Sequence, residues 1–292
     1  MKERLIKLKN SIDLNVLDTQ NTGPVVLLLH FSSGTAQMWN GIIPYLKDTY
    51  RVIAPDLRGH GKSSKPETGY HIDNMAEDIY LLLKELDIEQ CHIVGSSLGA
   101  EVGVSFAASH PEMVLSLVSE GALFNEFGEY GLFNGSENEI QEEKEKRRSE
   151  YKRSEQPLFD SKEEMIEEKS QFFKEAEVYN DYFKQFIETN ICSQDGKFTF
   201  CHPIFAANEY VVHYLDFRFE EYYKKISSPV LFLLSEDEWK NEKIRDIVEK
   251  FAQFIEDSTI KYIEGGMHAY IWMQYPEIAG KLISDFINNN SI

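Results

Sequence analysis

Between Cys91 and Ser109 a short β-branched run, Cys91-His92-Ile93-Val94, enters Gly95-Ser96-Ser97-Leu98-Gly99 and passes directly into a stretch with helical character. A chain that turns from strand to helix within five residues must bring backbone against backbone. Gly95 and Gly99 carry no side chain to collide there, so Ser97 is expected on a tight, strained turn with its hydroxyl pointing into a site. Strain at such a position is tolerable where function uses it. The same turn limits the fold, because it requires a buried strand on one side and a helix packed back on the sheet on the other.

The rest of the chain supplies those layers. Val25 to His30 is a continuous apolar run bounded by Thr22-Gly23-Pro24 and Ser32-Ser33-Gly34, as expected of a strand covered on both faces. Patterning predicts a helix through Trp39 to Leu46, a strand over Arg51–Pro55, a helix over Asp73–Leu86, a strand over Cys91–Val94, a helix over Leu98–Ser109 and a strand over Val114–Val118. After a long interval, Val230–Leu234 resumes the alternation, followed by a helix through about Lys250, a strand over Thr259–Ile263 and a final helix over Pro276–Ile287. This order implies an α/β fold: a mostly parallel, twisted sheet flanked by helices, with right-handed crossovers. Sites in such sheets open at the carboxyl ends of the strands.

Composition changes after Ala122. From about Asn134 to Phe173 the chain is crowded with Glu, Lys, Arg and Ser, including Glu142-Glu143-Lys144-Glu145-Lys146-Arg147-Arg148. Mixed-sign charges at helical spacing mark a solvated helix face held by (i, i+4) pairs. Aromatic residues then recur in helical register at Phe172-Phe173, Tyr179, Tyr182-Phe183, Phe186, Tyr210, Tyr214, Phe217 and Phe219. We therefore expect residues 1–122 and 226–292 to form the core and residues 123–225 a helical insertion laid over it.

The 292 residues hold 49 acidic and 30 basic side chains, a formal charge of −19. Such a field repels phosphate backbones and anionic lipid headgroups, so neither a nucleic acid nor a membrane is an expected partner. The start of the chain lacks a secretory apolar stretch, and no apolar run approaches the ~20 residues of a membrane span. Cys91, Cys192 and Cys201 are too few and too scattered for a disulfide framework, which suits a reducing, cytoplasmic setting.

A serine hydroxyl is a weak nucleophile and needs a base within reach and an acid to orient that base. Among eight histidines, His268 follows the last predicted strand in Glu264-Gly265-Gly266-Met267-His268-Ala269, where a flexible glycine loop can swing the imidazole toward Ser97. The order serine, acid, histidine also suits this fold. For the acid, Leu234-Ser235-Glu236-Asp237-Glu238 closes the preceding strand. Glu238 falls on the acid position if Ser235 replaces the usual turn glycine, with Asp237 as the near alternative; Glu120, after the strand Val114–Val118, is a third candidate. The backbone N–H of Leu98, at a helix N-terminus, and that of Ser32, in the loop His30-Phe31-Ser32-Ser33-Gly34, are the expected donors to a developing oxyanion. His30 is expected to brace that loop and His92 to pack in its strand. His60, His71 and His110 fall in loops or turns, and His202 and His213 are the two histidines the insertion could turn toward a pocket.

Together these residues resemble the α/β-hydrolase superfamily, in its branch of capped esterases, C–C hydrolases and haloperoxidase-like proteins. The resemblance covers almost the whole core. His30-Phe31-Ser32-Ser33-Gly34 with Met38-Trp39 looks like the family's H-G-x-x-G oxyanion loop, with Phe31 in place of the usual glycine, and Asp56-Leu57-Arg58-Gly59-His60-Gly61-Lys62-Ser63 looks like its D-x-R-G-x-G-x-S segment. In the latter, Asp56 and Arg58 are expected to be structural. Serine at 97 sets the chain apart from haloalkane dehalogenases and epoxide hydrolases, which resemble this fold but use aspartate. Neither a cofactor nor a catalytic metal is implied. The resemblance implies hydrolysis of a small, mostly apolar ester, lactone or related carbonyl compound beneath an aromatic cap, with C–C bond hydrolysis or a slow-turnover ligand receptor as alternatives.

Overall fold

Strand formation begins earlier than the apolar pattern predicts. In the computed structural model, which describes residues 1–290, β1 (Lys2–Lys7) and β2 (Asp13–Asp18) form an antiparallel hairpin at one edge of the sheet. The Lys, Glu and Arg side chains of β1 keep an edge strand soluble and hide its alternation. Then follow β3 (Val25–Leu29), a 3₁₀ turn over Ala36–Gly41, α1 (Ile43–Leu46), β4 (Arg51–Pro55), α2 (Ile72–Glu85), β5 (Cys91–Ser96), α3 (Leu98–Ser109) and β6 (Val114–Glu120). The helix expected through Trp39–Leu46 is thus in two pieces, because Pro44 lacks an N–H and fits only a first helical turn.

The segment that follows holds β7 (Asn125–Phe127), β8 (Gly131–Phe133), α4 (Glu137–Tyr151), α5 (Lys162–Glu175), α6 (Asp181–Thr189), β9 (Ile191–Gln194), β10 (Lys197–Phe200), α7 (Ile204–Tyr214) and α8 (Phe219–Tyr223). Helix α4 buries none of its residues and carries the ion pairs Glu143–Arg147 and Glu145–Arg148, the solvated face its charges imply. The β9–β10 hairpin turns at Asp195-Gly196, both at positive φ. That turn overturns the expectation drawn from scattered cysteines: it folds the chain back so that Cys192 and Cys201 form a disulfide, their Cα atoms 4.9 Å apart. Only Cys91, buried in β5, is free, and the cysteines no longer argue for a reducing compartment.

The alternation then resumes with β11 (Val230–Leu234), α9 (Glu236–Lys240), α10 (Glu242–Ala252), β12 (Ser258–Tyr262), α11 (Ile271–Gln274) and α12 (Pro276–Asn289). Asn241 interrupts the helix expected through Lys250, since its side chain accepts from the Lys243 and Ile244 N–H groups and starts α10 afresh. Eight strands form one sheet in the order β1-β2-β4-β3-β5-β6-β11-β12, parallel from β4 to β12. One core cluster packs α2, α3, α8 and α10 on one face, and a second packs α1, α11, α12 and Phe183, Phe186 and Ile187 of α6 on the other. Because β6 and β11 are parallel neighbours although far apart in sequence, their carboxyl ends lie side by side next to that of β5.

Asp56 and Arg58 serve this framework. Asp56 accepts from the N–H groups of Ala36 and Lys62 and from the Asn15 amide, while Arg58 makes a two-pronged pair with buried Asp78. Among the described residues, no helix is long and apolar enough to cross a membrane.

Candidate active site

Ser97 joins β5 to α3 with φ 49° and ψ −116°, a conformation disfavoured for any residue with a Cβ. Close packing holds it there. A Cβ at Gly99 would lie 2.1 Å from the Leu29 carbonyl oxygen, and one at Gly121 would lie 2.7 Å from the Ser97 Cα, so only glycine lets the first turn of α3 approach β3 and lets the end of β6 pass beneath the serine. The Ser97 N–H donates to the Glu120 carbonyl, tying the elbow to β6. Leu98 opens α3, where the first N–H groups of a helix lack intrahelical partners and favour negative charge.

The histidine arrives from the β12 side. Its loop is clamped rather than free to swing: Gln274 accepts from the Met267 N–H at 2.9 Å and donates to the Gly265 carbonyl at 2.8 Å. His268 Nδ1 lies 2.8 Å from Glu120 Oε1 and 3.1 Å from Glu238 Oε1. Each carboxylate is anchored through its other oxygen. Glu120 Oε2 accepts from the Ser96 hydroxyl at 2.6 Å, while Glu238 Oε2 accepts from the Ser235 N–H at 2.8 Å and the Ser235 hydroxyl at 2.7 Å, a capping box that starts α9. Two of the three acid candidates therefore meet the imidazole. Asp237 does not: it is exposed on α9, one residue round from the face that carries Glu238.

Charge is divided unevenly among these groups. Burial raises the pKa of Glu120, whose side chain is wholly inaccessible, and His268 offsets this only in part. At Glu238 burial acts the same way, but the donors from His268 and Ser235 outweigh it and leave the pKa below its ordinary value. Burial alone would lower the pKa of His268; the two carboxylates outweigh it and hold the imidazole well above 6.5. The side chain of His268 keeps 39 % of its surface accessible, so the ring also faces open space.

That space is a cavity of about 200 Å3 lined by Ser97, His268 and Glu238 together with Glu101, Phe124, Tyr214 and Phe219. Glu101, only 5 % exposed, stands four residues after Ser97 on α3 and receives the Tyr210 hydroxyl at 2.7 Å. Burial pushes its pKa up to about 8. A lone charge in the otherwise small and apolar sequence Leu98-Gly-Ala-Glu-Val-Gly-Val was the signal that could have marked it, one helical turn from Ser97.

A larger cavity, about 740 Å3, lies beyond the His30–Gly34 loop and is lined by Phe31, Ser32, Phe173, Phe186, Tyr270 and residues 152–157. Phe31 occupies its apolar wall, packed on Phe186 and Tyr270, rather than the elbow. Ser32 also borders a smaller cavity shared with Tyr210, which links this loop to Glu101. His30 braces the loop as expected: its Nδ1 meets the Phe31 carbonyl at 2.7 Å and its Nε2 accepts from the Leu57 N–H. His92 is held in β5 against the Ser116 hydroxyl. His60 lies in a turn as expected, but is buried and stacked at 3.9 Å on His202 of the segment between β6 and β11; His202 borders the 740 Å3 cavity, and His213 packs with His71 in a separate one.

Glu120, Glu238 and His268 are also the one group among the described residues with three potential metal-ligand atoms within 4.8 Å of one another. A cation held there would displace the Nδ1 proton, and the Ser96 and Ser235 donors already satisfy the outer carboxylate oxygens, so the arrangement fits a protonated Nδ1 better than a metal.

Known proteins bear on this geometry. Residues 24–273 match the family model described as the alpha/beta hydrolase fold. Among curated relatives, the chain is 39 % identical over 108 residues to 2-(acetamidomethylene)succinate hydrolase of Mesorhizobium japonicum, covering 37 % of this chain and 38 % of that protein. It is 40 % identical over 98 residues to the pimeloyl-[acyl-carrier protein] methyl ester esterase of Aeromonas hydrophila, covering 33 % of this chain and 37 % of that protein. The matched stretch thus spans little more than a third of either relative. Over nearly full length the fold is that of E-2-(acetamidomethylene)succinate hydrolase, with a TM-score of 0.77 at 24 % identity covering 98 % and 99 % of the two chains. A thermophilic esterase from Thermogutta terrifontis superposes with a TM-score of 0.71 at 21 % identity, with both chains covered completely.

Proposed function

Since the chain belongs to the alpha/beta hydrolase fold family, whose members among its relatives include hydrolases and esterases, we propose that it is a serine hydrolase acting on a small, mostly apolar ester, lactone or related carbonyl compound. One observation carries this: a strained serine and a histidine line the same cavity, and the histidine's far nitrogen rests against two anchored carboxylates. In this mechanism the Ser97 oxygen attacks the carbonyl carbon while His268 Nε2 takes the hydroxyl proton. The tetrahedral oxyanion is met by the N–H groups of Leu98 and Ser32. As it collapses, the imidazolium returns the proton to the departing alkoxide, which leaves as an alcohol, and Ser97 is left acylated. Water then repeats the sequence with His268 as base and releases the acid. Glu238 holds the Nδ1 tautomer and balances the imidazolium, with Glu120 as a second, more weakly ionised partner.

Residues 123–225 act in this scheme as a cap, contributing Phe124, Tyr214 and Phe219 to the reaction cavity and Phe173 and Phe186 to the larger hollow beside it. The mostly apolar lining favours an uncharged reacting group. Steady-state hydrolysis of p-nitrophenyl butyrate tests the proposal. Turnover by the wild type and its disappearance in Ser97→Ala, with the fold retained by circular dichroism, is the expected result; equal turnover by the two proteins contradicts it.

A further inference from the structure

The mechanism above leaves one buried acid in the reaction cavity without a task. Glu101 lies on the same face of α3 as Ser97, one turn along, and its side chain lines the cavity that holds Ser97 and His268. Tyr210 donates to Oε2, and Oε1, which meets no donor among the described residues, keeps accessible surface although the residue as a whole is only 5 % exposed. A carboxyl with one oxygen left accessible beside a small cavity can take a ligand's donor or positive charge there. Its surroundings determine which ligand satisfies it. Glu120, Glu126 and Glu238 are the neighbouring acids, His268 is the basic side chain of the same cavity and its charge is set against Glu120 and Glu238, Arg147 is already paired with Glu126, and Phe124, Tyr214 and Phe219 line the cavity with aromatic surface. Carboxylates repel an anionic substrate, whereas a cation gains both their field and the aromatic faces.

We propose that Glu101 forms a subsite for a cationic nitrogen, so that the preferred substrate is a small ester or related carbonyl compound bearing an ammonium group near the scissile carbonyl. This deepens the hydrolase proposal and rests on it for the reaction, but not for the binding event. Burial by Tyr210, Tyr214 and the cap keeps the carboxyl largely protonated at pH 7, with its pKa near 8 raised further by Glu126 and opposed by Tyr210 and His268. A bound cation draws the proton off, so binding at pH 7 releases a proton to the buffer.

The test uses three ketones, which have no leaving group and report binding whether or not Ser97 turns over esters: 5-(trimethylammonio)pentan-2-one, its uncharged isostere 6,6-dimethylheptan-2-one, and 5-oxohexanoate. Titration calorimetry of the full chain at pH 7, in two buffers of different ionisation enthalpy, gives affinity and proton release together. The wild type is expected to bind the cation about tenfold or more tightly than the isostere, an advantage of about 1.4 kcal/mol, with net proton release, and to bind the anion most weakly. Glu101→Gln keeps an oxygen for the Tyr210 hydroxyl; it should bring the cation-to-isostere ratio within about twofold and abolish proton release. Tyr210→Phe, which removes only that hydrogen bond, should keep the preference. An equal ratio in wild type and Glu101→Gln, or tighter binding of the anion, overturns the subsite. Loss of ester turnover with the cation preference intact overturns the hydrolase proposal alone.

Discussion

The ends of β6 and β11 deliver a carboxylate to the same imidazole nitrogen by different means. Glu120 is the last residue of its strand, wholly buried, and anchored by one side-chain hydroxyl from β5. Glu238 sits one turn into α9 and is anchored by a backbone N–H and a hydroxyl of Ser235. The result is two carboxylates at similar distance but with unequal charge, because a second strong donor offsets burial at Glu238 and not at Glu120. Proximity to a base therefore does not by itself identify the acid that serves it; the anchoring does. In this account Glu238 supplies the charge and Glu120 supplies position and a reserve acceptor.

Substitutions break the comparison in order of size. Removing the imidazole in His268→Ala leaves both carboxylates without their common partner and should lower kcat by about 10⁴-fold or more. Glu238→Gln should follow, with a loss of about 10³-fold in kcat and little change in KM, as expected when the wrong tautomer is favoured. Glu120→Gln should cost only about tenfold, comparable to one hydrogen bond to a charged group. Equal losses from the two would show that the carboxylates share the charge. The pH profile sharpens the same point. Only neutral His268 can accept the serine proton, so kcat/KM should rise with pH, and because both carboxylates raise the imidazole pKa the midpoint of that rise should lie above 6.5. Each Glu→Gln change removes a carboxylate that raises the imidazole pKa and should move the midpoint downward. The smallest effect belongs to chelation: if the three groups hold a proton and not a cation, dialysis against EDTA should leave turnover of p-nitrophenyl butyrate unchanged.

Much of this architecture is legible in the sequence because it follows from local rules. The apolar runs of β3, β5 and β11, the glycines around Ser97 and the glycine loop that carries His268 each act within a few residues of themselves. What escaped depends on contacts between distant segments or on signals masked by charge. The acid stayed open among Glu238, Asp237 and Glu120 because the choice is made by parallel pairing of β6 with β11 across the intervening segment, which no periodicity encodes. The β1–β2 hairpin was hidden by the lysines and glutamate of an edge strand, and the Cys192–Cys201 bridge by a hairpin whose only marker is Asp195-Gly196. Glu101 was visible as a charge in an apolar helix, but its meaning appears only when Tyr210 and the cavity close around it.

The central claim, that Ser97 is an activated nucleophile, is tested most directly by intact-mass spectrometry after incubation with a small fluorophosphonate, followed by peptide mapping, with His268→Ala and Ser97→Ala as controls. The account predicts one adduct per chain on Ser97, labelling that is slowed severely by His268→Ala and abolished by Ser97→Ala. No adduct on folded wild-type protein, or an adduct that persists in Ser97→Ala, would contradict it.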